Sequence, residues 1–318
     1  MTEAADVGLH PEIATHIGLM KAAGFPAMNS LTPQKLREIL AAAPRAPGPD
    51  MARVEDFEID VEGGSIALRL YAPHGDPLAI VDFMHGGGWT MGGLAQSDAA
   101  CRHIAEATRS LVVSVEYRLA PEHPFPTAVD DAYAALEWID GSRARLSAPD
   151  DLPLFVAGDS AGANLAAVIS ILARDRAGPR IAGQVLLVPM TDGDVDAPEL
   201  KAFEAPFLTL AETSWFVDNY VPDRDRRKDF RFAPIRADSL ADLPPAFIVT
   251  ASHDILRTHG EAYGRKLAEA GVPATVCRYP GTVHSFVTVN PTFERSRQAL
   301  ADIAAFIAGF GADFGRRP

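Results

Sequence analysis

Apolar and polar residues alternate along Phe57-Glu58-Ile59-Asp60-Val61, and alternate again along Ile66-Ala67-Leu68-Arg69-Leu70-Tyr71. Between them stands the turn sequence Glu62-Gly63-Gly64, so the pair predicts an antiparallel hairpin. Beyond it, strand-like apolar runs occupy 79–84, 111–117, 154–157, 185–188, 246–251 and 275–279. Segments with helical spacing separate them, at about 95–108, 129–139, 163–174, 261–270 and 293–307. Strands and helices in alternation predict an α/β fold with a mostly parallel sheet wrapped on both faces.

Two stretches break the alternation. Residues 1–50 carry helix-period segments at 12–20 and 33–40, with Thr32 before Pro33 as an N-cap and N1 pair. The sequence Pro44-Arg45-Ala46-Pro47-Gly48-Pro49 then reads as a linker. This piece is too small for its own core and is expected to lie across the rest. From Thr191 to about Asp242 no strand is predicted, only a short helix near 211–220 among acidic and aromatic residues. The predicted organisation is therefore N-terminal cap helices over 1–50, and a main domain over 51–318 with a cap insertion at about 195–225.

Composition narrows the function classes. The 318 residues are 47% hydrophobic and 22% charged, an ordinary globular balance. The formal net charge of −13 opposes binding to nucleic acid or to an anionic membrane surface. No apolar run approaches the roughly 18 to 20 residues of a membrane span. The start, Met1-Thr2-Glu3-Ala4-Ala5-Asp6, is acidic and lacks the pattern of a signal peptide. Cys101 and Cys277 lie far apart without C-x-x-C spacing, so thiols in a cytoplasmic compartment are expected.

The chemistry centres on Gly158-Asp159-Ser160-Ala161-Gly162, between the run Leu154-Phe155-Val156-Ala157 and a helical segment. A G-x-S-x-G between strand and helix is a nucleophile elbow: a strained turn pushes the serine Oγ outward, and small neighbours let strand and helix pass closely. The third predicted strand runs into His85-Gly86-Gly87-Gly88-Trp89. Three successive glycines lose much backbone entropy, and bare N–H groups aimed at a developing negative charge give a reason for them.

An acid and then a histidine must follow the serine in chain order. Asp254 stands at the end of the run 246–251, and His284 stands after the last strand, in Pro280-Gly281-Thr282-Val283-His284-Ser285-Phe286. Both fall at the sheet edge that carries Ser160, where sites of open α/β sheets cluster. Asp192 and Asp194 are the rival acids. His253 and His259 flank Asp254 and raise a metal site as an alternative, but no H-E-x-x-H or cysteine cluster accompanies them. Trp89, Phe203, Phe207, Trp215 and Phe216 are candidates for either a substrate pocket or the core.

Together these stretches, with Tyr117-Arg118-Leu119-Ala120-Pro121-Glu122-His123-Pro124-Phe125-Pro126, resemble the bacterial hormone-sensitive-lipase-like esterases of the G-D-S-A-G subgroup. The resemblance runs from about Val54 to Phe306. It implies an α/β-hydrolase fold with an eight-stranded sheet and a helical cap. It also implies Ser160 as nucleophile, His284 as base, Asp254 as acid, and an oxyanion hole made by the N–H groups of Gly87, Gly88 and Ala161. His85, Gly86, Trp89, Gly158, Asp159 and Gly162 are supporting motif positions. The chain departs from the family pattern at Ile255, Thr258 and His259, where D-P-L-R-D-E is usual, and at Ser285, where H-G-F is usual; Ala163 replaces a second glycine after the elbow.

The activity so implied is a carboxylesterase acting on short-to-medium acyl esters, with no cofactor and no metal. An amidase, deacetylase or lactonase would use the same three residues. A non-catalytic receptor of the plant gibberellin type is similar in family, but such receptors lack the catalytic histidine that His284 supplies here. Relatives that pair through the edge strand make a homodimer through 275–279 one arrangement for this chain.

Overall fold

The computed structural model describes residues 8–310; the acidic start Met1–Asp6 and the last residues of the main domain lie outside them. The predicted hairpin is β1 (Arg53–Val61) and β2 (Gly64–Ala72), antiparallel, with Gly63 at φ 78° in its turn. There follow β3 (Ala79–Met84), β4 (Ser110–Glu116), β5 (Leu154–Asp159), β6 (Gly183–Leu187), β7 (Ala246–His253) and β8 (Ala274–Val283). The eight strands order as β1-β2-β4-β3-β5-β6-β7-β8, parallel from β4 through β8 and antiparallel at β1 and β2.

The helices in chain order are α1 (Pro11–Ala22), α2 (Pro33–Ala42), α3 (Leu94–Thr108), α4 (Thr127–Gly141), α5 (Arg143–Leu146), α6 (Ala161–Asp175), α7 (Pro198–Lys201), α8 (Leu210–Tyr220), α9 (Arg257–Glu269), α10 (Phe286–Val289) and α11 (Glu294–Ala308). Thr32 caps α2 as expected, its hydroxyl accepting from the Lys35 N–H. α5, α7 and α10 leave no trace in the sequence pattern, because four residues are too few to show a period. α9 begins at Arg257, ahead of the predicted 261. Gly260 lets this first turn lie against Thr250, with only 2.8 Å left for a β carbon. β8 continues past 279 through Pro280 and Gly281 to Val283, which carries the chain directly to His284.

The strand period of two sorts the central strands into two cores. Ile80 and Met84 of β3, with Leu154 and Val156 of β5, face α4, α6 and α9. Val81 and Phe83, with Phe155 and Ala157, face α3 and α11, with α1 beyond. Each fully buried Leu, Ile, Val or Phe contributes roughly 1.5–3 kcal/mol, so the interleaved parallel strands dominate stability. β3 and β5 are adjacent, while their onward connections lead to opposite sides of the sheet. That is a topological switch point, which opens a crevice at the carboxyl ends of those two strands.

A buried ion pair helps to hold the loop after β4. Asp131 of α4 is fully buried and accepts from the Arg118 N–H at 2.9 Å, Nε at 2.9 Å and Nη2 at 2.6 Å. Asp131→Ala would leave the mostly buried Arg118 guanidinium without its partner. Urea denaturation is expected to show a loss of about 3 kcal/mol, and an unchanged midpoint would disprove that role.

Candidate active site

Ser160 joins β5 to α6 at φ 54°, ψ −111°, a conformation costing on the order of 1–3 kcal/mol. The surroundings hold it there. Its N–H donates to the Leu187 carbonyl at 2.8 Å, and its carbonyl accepts from the Asn164 N–H at 3.0 Å. The Asn164 side chain in turn donates to the Met190 and Phe232 carbonyls. A β carbon at Gly158 would overlap the Gly162 carbonyl, and one at Gly162 would overlap the Met84 carbonyl, so both glycines are sterically required.

His284, on the loop after β8, sets Nε2 2.8 Å from Ser160 Oγ and Nδ1 2.9 Å from Asp254 Oδ2. The carboxylate fixes the tautomer: Nδ1 donates to it, leaving Nε2 to accept from the serine. Asp254 Oδ1 accepts from the Leu256 N–H at 2.9 Å, which orients the carboxylate. Burial pulls the His284 pKa down, but the charge and hydrogen bond of Asp254, with the charge of Asp159, outweigh it and hold the pKa above its ordinary value.

The rivals are occupied elsewhere. Asp192 forms a two-pronged pair with Arg236, at 2.7 and 3.0 Å. Asp194 accepts from the Asp196 N–H at 3.0 Å. His259 is buried under the 191–192 loop, where its carbonyl accepts from the Thr191 hydroxyl at 2.9 Å, and burial lowers its pKa. His253 stands half-buried at the end of β7. Among the described residues no cluster of His, Cys, Asp and Glu is arranged to hold a metal ion.

The glycine loop leaves β3 beside the elbow. His85 lies stacked on Tyr117 at 4.2 Å, and burial lowers its pKa to about 4, so the ring is neutral near pH 7. Its Nδ1 donates to the Gly86 carbonyl at 2.8 Å. In a trans peptide N–H and C=O point oppositely, so this bond also aims the Gly87 N–H. The Gly87 carbonyl accepts from Thr90 and Met91 N–H at 3.1 and 3.0 Å, which aims the Gly88 N–H by the same logic. Neither glycine N–H has a protein acceptor among the described residues. The Ala161 N–H, at the start of α6, has no acceptor within its helix. Gly87 and Gly88 sit at φ 118° and 57°, and a β carbon would strike Met91 at the first and the Phe216 ring at the second.

One further link ties the elbow to the histidine loop. Ser285, in left-handed backbone at φ 56°, donates its hydroxyl to Asp159 Oδ2 at 2.7 Å. The residue before Ser160 therefore grips the residue after His284, and Asp159 also lies against Gly86, where any β carbon would overlap it. The departure at Ser285 was the only available signal.

The aromatic candidates divide. Trp89 is core, 1% exposed and stacked on Tyr220 at 4.7 Å. Phe216 is buried over Gly88, with Trp215 edge-on to it at 5.0 Å; Phe207 is half-buried against the other core. Phe203 lies under the Arg257 guanidinium and helps line a cavity of about 270 Å³ between α7 and the start of α9. Asp254, Ile255 and Thr258 share that cavity, so two of the departing positions face it and His259 does not.

The chain is similar to known proteins over most of its length. A model of the α/β-hydrolase fold family matches residues 81–288. Esterase LipI of Mycobacterium tuberculosis is 42% identical over 260 residues, covering 80% of this chain and 81% of that protein. The ethyl acetate hydrolase of Pseudomonas putida is 30% identical over 312 residues, 92% of this chain and 96% of its own. The solved hyperthermophilic esterase of the archaeon Pyrobaculum calidifontis aligns with a TM-score of 0.86 at 36% identity, over 95% of this chain and 99% of that one.

The His284 environment gives a pH test. Activity that needs neutral His284 rises with pH through its pKa, so the acid limb of kcat/KM should have its midpoint above 6.5. Asp254→Asn removes the main opposing charge and leaves burial, so the midpoint should move down while the rate falls on the order of 10⁴-fold. A limb that stays in place would remove Asp254 from the site.

Proposed function

Because the chain belongs to the hormone-sensitive-lipase-like α/β-hydrolases and is a carboxylesterase, we propose that it hydrolyses short-to-medium acyl esters through an acyl-enzyme on Ser160. The continuous chain from Asp254 through His284 to Ser160 supports this more than any other observation. His284 Nε2 takes the hydroxyl proton as Oγ attacks the ester carbonyl. The carbonyl oxygen, now negative, accepts from the N–H groups of Gly87, Gly88 and Ala161. Collapse expels the alcohol, which leaves with the proton from His284. Water then enters, gives a proton to His284 and attacks the acyl-enzyme; collapse returns that proton to Oγ and releases the acid. Asp254 stabilises the imidazolium in both steps. Each oxyanion donor is worth on the order of 10²- to 10³-fold in rate.

The substrate class rests on one relative: a protein similar to this chain over nearly its whole length is an ethyl acetate hydrolase. In this reading the cap comprises residues 1–50 and the insertion at about 195–225, over the catalytic domain 51–318. A bond across the two pieces supports it: the Met28 N–H donates to Glu212 Oε1 at 3.0 Å. The free thiols Cys101 and Cys277 fit a cytoplasmic location, and no helix among the described residues is long and apolar enough to cross a membrane.

A panel of p-nitrophenyl esters of increasing chain length tests the proposal. Rates should peak at butyryl or hexanoyl and fall towards palmitoyl, and Ser160→Ala should lose on the order of 10⁵-fold or more while remaining folded. A palmitoyl optimum, or an active Ser160→Ala, would overturn it. The reading also includes a homodimer through β8, the sheet-edge strand on which Val276 is exposed. Sedimentation should then find two copies in the wild type and one in Val276→Lys; a monomeric wild type removes the dimer.

A further inference from the structure

We infer that Arg37, on the N-terminal helix α2, is a positioning residue that holds the glycine loop in its transition-state-binding shape. The inference rests on the esterase reading of Gly87 and Gly88. Arg37 Nε donates to the Thr90 carbonyl at 2.7 Å, and Nη2 donates to the Ala120 carbonyl at 2.5 Å. The same guanidinium pairs with Glu122, Nη1 to Oε1 at 3.0 Å and Nη2 to Oε2 at 2.8 Å. A planar fork with five donors suits three acceptor groups from two separate loops, and an ammonium could not reach them all.

Thr90 is the link to the site. Its N–H donates to the Gly87 carbonyl at 3.1 Å, and its hydroxyl donates to the Gly88 carbonyl at 3.0 Å. Those bonds set the peptide plane that carries the Gly88 N–H and restrain the carbonyl that follows it. Arg37 grips Thr90 by its remaining backbone acceptor. Ala120, the second residue it grips, donates its own N–H to the Trp89 carbonyl at 2.8 Å, so the turn at 87–91 is fastened from both sides. The need is physical. Glycines have many alternative conformations, so Gly87 and Gly88 need both the bonds within the turn and contacts from outside it to stay at positive φ. α2 itself is anchored by fully buried Leu36, and Arg37 transmits that anchoring to the loop.

Arg37→Met, Arg37→Lys and Glu122→Gln test this by steady-state kinetics, thermal unfolding and inhibition by an alkyl trifluoromethyl ketone. The hemiketal oxyanion of that ketone on Ser160 would bind the same N–H groups as the transition state. Arg37→Met should lower kcat about 10- to 100-fold with KM nearly unchanged, and weaken the ketone in proportion to kcat/KM. Arg37→Lys should recover part of the loss, since one ammonium can still reach the Thr90 carbonyl. Glu122→Gln leaves both carbonyl bonds in place, so its kcat should stay within about twofold even if it melts earlier. If Arg37→Met fails to fold, the Lys variant must carry the loss of kcat and ketone affinity. A lower melting temperature alone, or a raised KM with unchanged kcat, would overturn the inference and make Arg37 a docking or pocket residue. Its failure is distinct from failure of the esterase reading, which would show as an inactive wild type or an active Ser160→Ala.

Discussion

The crossing of α6 beneath the end of β3 is the contact on which the site depends. At Gly162 the helix backbone lies so close to the Met84 carbonyl that no side chain fits between them. The approach brings Ser160, two residues earlier, against the loop that starts one residue after Met84. Ser160 and the Gly87–Gly88 turn are therefore neighbours by backbone packing. Their spacing is built into the central parallel strands, the most thoroughly buried part of the molecule. Strain at Ser160 is sustained because the Leu187 carbonyl and the Asn164 N–H hold the peptide groups on either side of it.

Around that fixed crossing the polar groups are joined to one another. Asp254 orients His284, His284 accepts from Ser160, and Asp159 takes the hydroxyl of Ser285 beside the histidine. The elbow, the glycine loop and the histidine loop thus share Asp159 as a common neighbour. Burial raises the Asp159 pKa, while the charge of His284 and the Ser285 hydroxyl oppose that rise. A carboxylate this close to the imidazole adds to the pull of Asp254 on the same proton. The residue one position before Ser160 thus bears on His284 as well as on the fold.

The N-terminal helices and the insertion meet each other and the site. α2 reaches the glycine loop through Arg37, and the segment after α1 donates to Glu212 of α8. Glu212 also accepts from the Thr209 N–H, completing the capping box that starts α8. Phe216 of α8 lies over Gly88. Pieces far apart in the chain therefore close over one loop.

The local pattern alone determined the strands, the larger helices and the chemistry-bearing residues. Strand and helix periods are properties of a few consecutive side chains, and G-D-S-A-G and H-G-G-G report backbone geometry that only glycine and small residues tolerate. The chain order that a nucleophile elbow requires, serine then acid then histidine, pointed to Asp254 and His284, each near a strand's carboxyl end. Other features needed the tertiary structure. Arg236 occupies Asp192, while Asp254 faces His284; both acids follow strands, and only three-dimensional neighbours separate them. Trp89 reads equally as pocket or core until Tyr220, 131 positions away in sequence, is found stacked on it. Arg37 and Ser285 carry no motif of their own, because their partners lie on loops brought together by folding. Periodicity records which face of an element is buried, and only the packed fold records what it is buried against.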